Sequence, residues 1–156
     1  MNFNKSAVFV VGGMLVLSGL LQAQAPLAEP LANFDTALYL CGTLCAPANQ
    51  RPRNRYANPE RIPANLALGW EIALRHDQPE PFLSRAAGQE TWESVSPIAS
   101  ARGERVLEVC VPLAALGMAL DGEVSVLATL AQGGTIVAQV PEREMGKVAL
   151  RRFDGV

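Results

Sequence analysis

Short runs of alternating apolar and polar residues are the strongest constraint on the fold of this 156-residue chain. In residues 66–75, Leu68, Trp70, Ile72 and Leu74 alternate with small or polar residues. This is the period of a strand with one buried face, so Trp70 is expected to point inward. Similar runs cover residues 36–44, 91–98, 105–111, 123–131, 135–140 and 148–153. Turns separate them, which predicts an all-β, immunoglobulin-like or carbohydrate-binding-module-like antiparallel β-sandwich.

The N-terminal segment predicts export. Lys5 precedes an uncharged stretch over residues 6–28, which ends before Glu29. A small-x-small cleavage pattern lies at Ala23-Gln24-Ala25, but Pro26 would follow the cut directly, a position that signal peptidases tolerate poorly. Residues 1–25 are therefore expected to be either a signal peptide or a retained transmembrane anchor, followed by a linker (26–35) and the β-sandwich (36–156).

A retained segment would place one hydrophobic helix before the sandwich. Twenty-three uncharged residues suffice to span a bilayer core of about 30 Å. Gly12 and Gly13 lack bulk and would let a neighbouring helix approach closely. The domain is expected on the periplasmic side, anchored to the membrane if the segment is retained, and otherwise soluble in the periplasm or secreted.

Charge and cysteine content narrow the possible partners. Of the 13 Lys and Arg residues, only Lys5 lies in the export segment, so 12 basic residues face 15 acidic ones, which argues against a nucleic-acid partner. Cys41, Cys45 and Cys110 would enter an oxidising compartment. Two cysteines four apart on one strand would lie about 13 Å apart, so a Cys41–Cys45 disulfide needs a turn at residues 42–43. Otherwise Cys110 pairs with one of them.

Three segments in the second half of the chain carry a family resemblance. These are Val106-Leu-Glu-Val-Cys-Val-Pro-Leu-Ala-Ala-Leu-Gly117, residues 121–126 and residues 136–143, with Gly69-Trp-Glu-Ile72 upstream. Together they resemble the C-terminal β-sandwich module of family-57 glycoside hydrolases and glucodextranases and, more distantly, DOMON domains. Those hydrolases hold their catalytic carboxylates in a separate barrel, so the resemblance implies a non-catalytic module.

The residues themselves also argue against an enzyme. Glu71 and Glu108 are expected on solvent-facing strand surfaces rather than as a catalytic pair. His76 is the sole histidine and is expected to be exposed at a strand end. No cofactor and no metal are therefore expected. The DOMON resemblance leaves haem ligation by His76, with Met118 or Met145, as a distant alternative.

The Pro- and Asn-rich segment over residues 46–63 predicts a long loop, which is a common place for function. Its side chains Arg51, Arg53, Arg55 and Tyr56 are the expected partner-binding residues, because Arg and Tyr are favoured at interface hot spots. The expected function is that of an accessory subunit contacting other, membrane-embedded subunits.

The alternative is a soluble periplasmic module that binds a glycan. Sugar-binding sandwiches use exposed aromatic side chains beside polar groups. Trp92 and Tyr39 are the candidates for this surface.

Overall fold

Eleven β-strands and two single 3-10 turns form the part of the chain that the computed structural model describes, residues 7–11, 14–20, 29–42, 56–62, 69–88, 91–102, 106–118, 122–141 and 145–150. The strands are β1 (Ala7–Val11), β2 (Met14–Leu20), β3 (Asp35–Gly42), β4 (Trp70–Arg75), β5 (Gln78–Gly88), β6 (Thr91–Pro97), β7 (Ala99–Arg102), β8 (Val106–Pro112), β9 (Glu123–Gln132), β10 (Thr135–Val140) and β11 (Gly146–Ala149). The 3-10 turns are Leu31–Asn33 and Pro59–Arg61. The prediction of an all-β protein is confirmed.

The strands form two sheets in which every pairing is antiparallel. The main sheet has the order β10-β9-β3-β4-β5-β6, with β11 also paired to β9. The small sheet has the order β1-β2-β8-β7. Because β6 ends at Pro97 and β7 begins at Ala99, the chain passes from one sheet to the other within a single residue.

One core cluster draws on both sheets. From the main sheet it contains Leu38, Leu40, Ile72 and Leu83, among others, and from the small sheet it contains three alternate residues of β8, namely Leu107, Val109 and Val111. Trp70 is partly buried and packs against this cluster, as its alternation predicted. Period-two alternation thus identified the core-facing apolar side chains of β4 and β8 correctly.

The N-terminal helix is not confirmed, because the structure has the hairpin β1–β2 in that segment. The residues suit strands, since Val8, Phe9, Val10 and Val11 are of types enriched in β-structure. The strand β2 then continues the small sheet by pairing with β8. Gly12 and Gly13, the expected helix-packing residues, lie outside the described part of the chain.

Part of the expected linker belongs to the packed domain. Leu31 and Phe34 are buried in the core cluster, and the 3-10 turn between them brings both side chains to one side. Packed structure therefore begins ahead of residue 36, and β3 itself starts at Asp35.

Two turns between strands have the geometry that their glycines favour. Residues 113–117 make successive backbone hydrogen bonds of the helical kind, and Gly117 ends the turn with φ of 62°. The hairpin between β9 and β10 turns at Gly133 and Gly134, both with positive φ, which matches the primed turns that favour glycine. The last strand begins at Gly146 rather than at the predicted residue 148.

Both edges of the main sheet carry a β-bulge. On β6, Val95 is the extra residue between the pairs Ser94–Ser84 and Ser96–Leu83. On β10, Val137 is the extra residue between Ile136 and Ala138. These two valines are 47% and 44% exposed, which the bulges explain because a bulged residue leaves the regular alternation. Bulged edges are poor templates for a further strand.

Candidate functional site

The outer face of the main sheet, which is turned away from the first core cluster, carries a second cluster of buried residues. Its members from the sheet are Ala37, Tyr39, Leu127, Ala131 and Ile136. Tyr56 and Ile62, at the two ends of the described loop segment 56–62, complete it. The end of the long loop therefore covers the sheet instead of standing in solvent.

Asn58 fastens this loop segment to the edge strand β10. Its side-chain Nδ2 donates to the carbonyl oxygen of Ile136 at 2.9 Å, and its Oδ1 accepts from the backbone N–H of Ile136 at 2.8 Å. Arg61 donates to the same carbonyl at 2.7 Å, and the N–H of Ala57 donates to Gly134 O at 2.8 Å. The side-chain amide of Asn58 thus makes the pair of hydrogen bonds to Ile136 that the backbone of a neighbouring strand would make.

The substitution Asn58→Ala is expected to lower the free energy of unfolding by about 1–3 kcal/mol, because it removes two hydrogen bonds to partly buried backbone groups. Asn33→Ala is the matched control, since Asn33 is exposed and its amide donates to the exposed Glu29. The control is expected to stay within about 0.5 kcal/mol of the parent protein. Urea unfolding followed by tryptophan fluorescence measures both variants. Equal effects would show that Asn58 does not hold the loop.

The expected partner-binding residues fall into two groups. Arg51, Arg53 and Arg55 lie outside the described residues. Tyr56, expected as an exposed contact residue, is only 8% exposed, so that expectation is wrong. Its ring belongs to the second cluster because an apolar ring gains more from burial against the sheet than from exposure.

A cleft of about 260 Å³ lies beside Tyr56 at one end of the main sheet. Its lining includes Asp35, Arg75, His76 and Asp77. His76 contacts Asp35 twice: its backbone N–H donates to Oδ1 at 2.9 Å, and its ring Nδ1 lies 2.8 Å from the same oxygen. His76 is 59% exposed, as its position at a strand end predicted, and Asp35 is 29% exposed.

The environment of Asp35 favours its ionised form. Burial by itself raises the pKa of this carboxyl, but the backbone and side-chain hydrogen bonds from His76 lower it, as do the charges of His76 and Arg75. The pKa of Asp35 consequently lies below its ordinary value. A carboxyl with a lowered folded-state pKa stabilises the fold above its unfolded pKa, about 3.9, and this contribution is lost as the pH falls through the folded value.

Asp35→Asn is expected to cost about 1 kcal/mol at pH 7, through weaker hydrogen bonds to His76. The difference from the parent protein should shrink as the pH falls from the unfolded pKa of about 3.9 through the lower folded pKa of Asp35, below which the parent carboxyl is also neutral. Unfolding curves between pH 7 and about pH 2 test this. Asp77→Asn, an exposed carboxylate in the adjacent turn, is the control and should change stability little at any of these pH values. A difference that is constant with pH would contradict the assignment.

The geometry does not support haem ligation by His76 with Met118. His76 lies at the Asp35 end of β3. Met118 lies at the other end, beside Gly42, since a β-carbon placed on Gly42 would be 2.9 Å from Met118 Cε. Seven residues of extended strand separate these ends, which is about 23 Å. The two side chains therefore cannot bind one iron atom.

Met145 is also badly placed for such a site. It packs against the second cluster, and the next residue, Gly146, pairs with Val126 at the level of Leu40. Leu40 is five residues from Asp35 along β3, or about 17 Å. Among the described residues there is no group of three His, Cys, Asp or Glu side chains arranged to hold a metal ion.

The two aromatic residues of the glycan-binding alternative lie together but do not form an exposed surface. Their ring centroids are 6.0 Å apart. Tyr39 is fully buried and is not the exposed surface residue that was expected, and Trp92 is only partly exposed. The ring of Tyr39 instead belongs to the second cluster.

The cysteines show one disulfide and one free thiol within the described residues. Cys41 is disulfide-bonded, and Cys110 is free and partly exposed on β8. The alternative in which Cys110 pairs with Cys41 is therefore wrong. Cys45, the remaining cysteine of the sequence, lies outside the described residues.

No protein-family model matches the chain, and no curated protein matches it significantly. Within the described residues, the structure contains no helix of the length and apolarity needed to cross a membrane.

Proposed function

We propose that this chain is a non-catalytic, extracytoplasmic β-sandwich of immunoglobulin-like or carbohydrate-binding-module-like form, which acts as an accessory subunit of a membrane protein complex. Two sheets with a shared core cluster support the sandwich form. The resemblance to the C-terminal module of family-57 glycoside hydrolases supports the absence of catalysis. Docking is assigned to Arg51, Arg53 and Arg55.

The observation that carries this assignment is the anchoring of the loop just after these arginines. Tyr56 is buried in the second cluster and Asn58 is bound to β10, so the chain that follows Arg55 is held against the main sheet. Residues 51–55 contain three arginines and no acidic residue. A segment with this charge favours an acidic partner surface.

The N-terminal segment is proposed as the second attachment, in the form of a helix within the bilayer. Inside a membrane every backbone polar group must be hydrogen-bonded within the segment, and a helix satisfies this condition. Lys5 before the uncharged stretch and Glu29 after it favour an orientation with the N-terminus in the cytoplasm. The helix and the hairpin β1–β2 are alternative conformations of the same residues.

An octaglutamate peptide carrying a fluorescent label tests the docking segment. In fluorescence anisotropy at low salt, replacing Arg51, Arg53 and Arg55 together with serine should weaken binding at least tenfold. Arg85→Ser is the matched control, because Arg85 is also exposed and forms a surface ion pair of 2.8 Å with Glu93. Equal affinities for the triple variant and the control would remove the assignment.

Extraction and N-terminal sequencing of the full chain from its native membranes test the anchor. The protein should resist high-salt and carbonate washes, enter solution only with detergent and begin at or near Met1. A sequence that begins at Gln24 or Pro26 would refute the anchor and leave a processed periplasmic protein.

A further inference from the structure

Strand β8 lies between β2 and β7 in the small sheet, and its side toward β2, here called the β8 edge, is regular. Seven consecutive pairs join it to β2, from Met14–Pro112 to Leu20–Val106, with no irregularity. On the main sheet, by contrast, both edges are bulged, and β10 is also covered by Asn58. The side of β8 that β2 occupies in this structure is therefore long and regular enough to take a partner strand.

The position of β8 over the core also requires a paired strand where β2 lies. Leu107, Val109 and Val111 are buried in the first core cluster, where they lie between the two sheets. On its other side β8 is paired with β7 over four residues. Without β2, most residues of β8 would have unpaired backbone groups on this side, and part of the apolar core beside them would be exposed to water. Unpaired backbone groups and exposed apolar surface each carry a free-energy cost.

The strand that fills this position belongs to the segment that the sequence predicts to enter the membrane. Residues 14–20 cannot lie in a bilayer-spanning helix and pair with β8 at the same time. Anchoring or cleavage of the segment would therefore leave the edge of β8 open in the exported protein.

We propose that β8 is a strand-acceptor edge, and that an extended, uncharged apolar segment of the partner subunit pairs with it antiparallel, in the position that Met14–Leu20 holds in this structure. The proposal rests on the proposed function, in which a partner subunit exists. The expected chemistry of the partner's segment follows from β2, which holds its position in this structure. Strand β2 has no charged residue and places Ser18 opposite Glu108. Addition of a strand to an exposed sheet edge is a general mode of peptide recognition.

Cys110 provides a native reporter for this edge. It is a free, partly exposed thiol, and its register partner on β2 is Val16. Directly opposite residues of an antiparallel pair have Cα atoms about 4.5–5.5 Å apart. This separation lies within the range of about 4.4–6.8 Å that a disulfide requires.

The test uses the detergent-extracted full chain and a soluble peptide, Met-Leu-Cys-Leu-Ser-Gly-Leu with a C-terminal lysine tag, whose cysteine stands at the position of Val16. The peptide sulfur is carried as a mixed disulfide with nitrothiobenzoate. The Cys110 thiolate attacks that sulfur and nitrothiobenzoate leaves, so the peptide becomes disulfide-linked to the protein. Mass spectrometry should show at least tenfold faster labelling than with peptides whose cysteine replaces either neighbouring leucine.

Labelling at equal rates for all three peptides would overturn the proposal, because it would show thiol chemistry without strand register. A second variant, Val16→Cys in the full chain, reports on the protein's own segment. Oxidation should leave it uncrosslinked in native membranes. Complete crosslinking to Cys110 there would also overturn the proposal, since the chain would then fill its own edge. If N-terminal sequencing shows cleavage while register-specific labelling persists, the anchor is wrong and the acceptor edge stands.

Discussion

Replacing Tyr39 with alanine is expected to lower the free energy of unfolding by about 3–5 kcal/mol, the range found for large aromatic residues in cores. The side chain of Tyr39 is fully buried in the second cluster, and its ring lies 6.0 Å from that of Trp92. On the neighbouring strands its register partners are Leu127 and Glu71. Removing the ring leaves a cavity that the surrounding strands cannot close. Equilibrium unfolding in urea measures the loss.

The matched control for Tyr39→Ala is Val137→Ala on the bulge of β10. Val137 is apolar but 44% exposed, so its loss should change stability by about 0.5 kcal/mol or less. If Tyr39→Ala proved as mild as the control and abolished binding in a glycan screen, Tyr39 would be a ligand-binding residue and the burial assigned to it would be incorrect.

The sequence predicted the strands whose alternation is regular, and it did not predict β1, β2, β7 or the proline-containing β5. Residues 77–81 contain two prolines, a pattern typical of a turn, but β5 begins at Gln78 and runs to Gly88. The explanation lies in the pairing, because Arg75 pairs with Gln78 and the next pair is Ala73–Phe82. Both prolines fall in this irregular stretch, where no ladder hydrogen bond is required of them.

Glu71 shows what alternation alone cannot decide. Period two correctly separated its side from that of Ile72, and Glu71 was then expected to face solvent. It is fully buried, because the outer face of the main sheet is itself covered and holds a second cluster. A pattern of alternation identifies two faces of a sheet. It does not reveal whether a distant loop, such as residues 56–62, covers the second face.

The contacts of the candidate site could not be predicted from the sequence either, because the residues that form them are far apart along the chain. Asn58 and Ile136 are separated by 78 residues, and Asp35 and His76 by 41. No local motif marks either pair. The sequence did predict correctly that His76 would be exposed at a strand end, since the turn that follows β4 is a local feature.

The neighbouring residues Phe82 and Leu83 give the clearest test of how β5 is placed in the main sheet. Leu83→Ala is expected to cost about 2–5 kcal/mol, because the leucine is fully buried in the first core cluster. Phe82→Ala removes a larger side chain but should cost less than about 1 kcal/mol, since this ring is 45% exposed on the opposite face of β5. Urea unfolding curves of both variants provide the comparison.

The informative result is which of the two variants loses more free energy of unfolding, because side-chain size and strand position predict opposite answers. Hydrophobic area alone makes phenylalanine the more costly residue to remove. The observed pairing of Ala73 with Phe82 and of Ile72 with Leu83 predicts the larger loss of stability for Leu83→Ala, since Ile72 and Leu83 lie together in the core. A greater loss for Phe82→Ala would mean that β5 is shifted by one residue, which would reverse the faces of every side chain along it. Ser84 and Arg85 would then exchange their positions relative to the core, and the pairing of β5 with β6 would have to be redrawn.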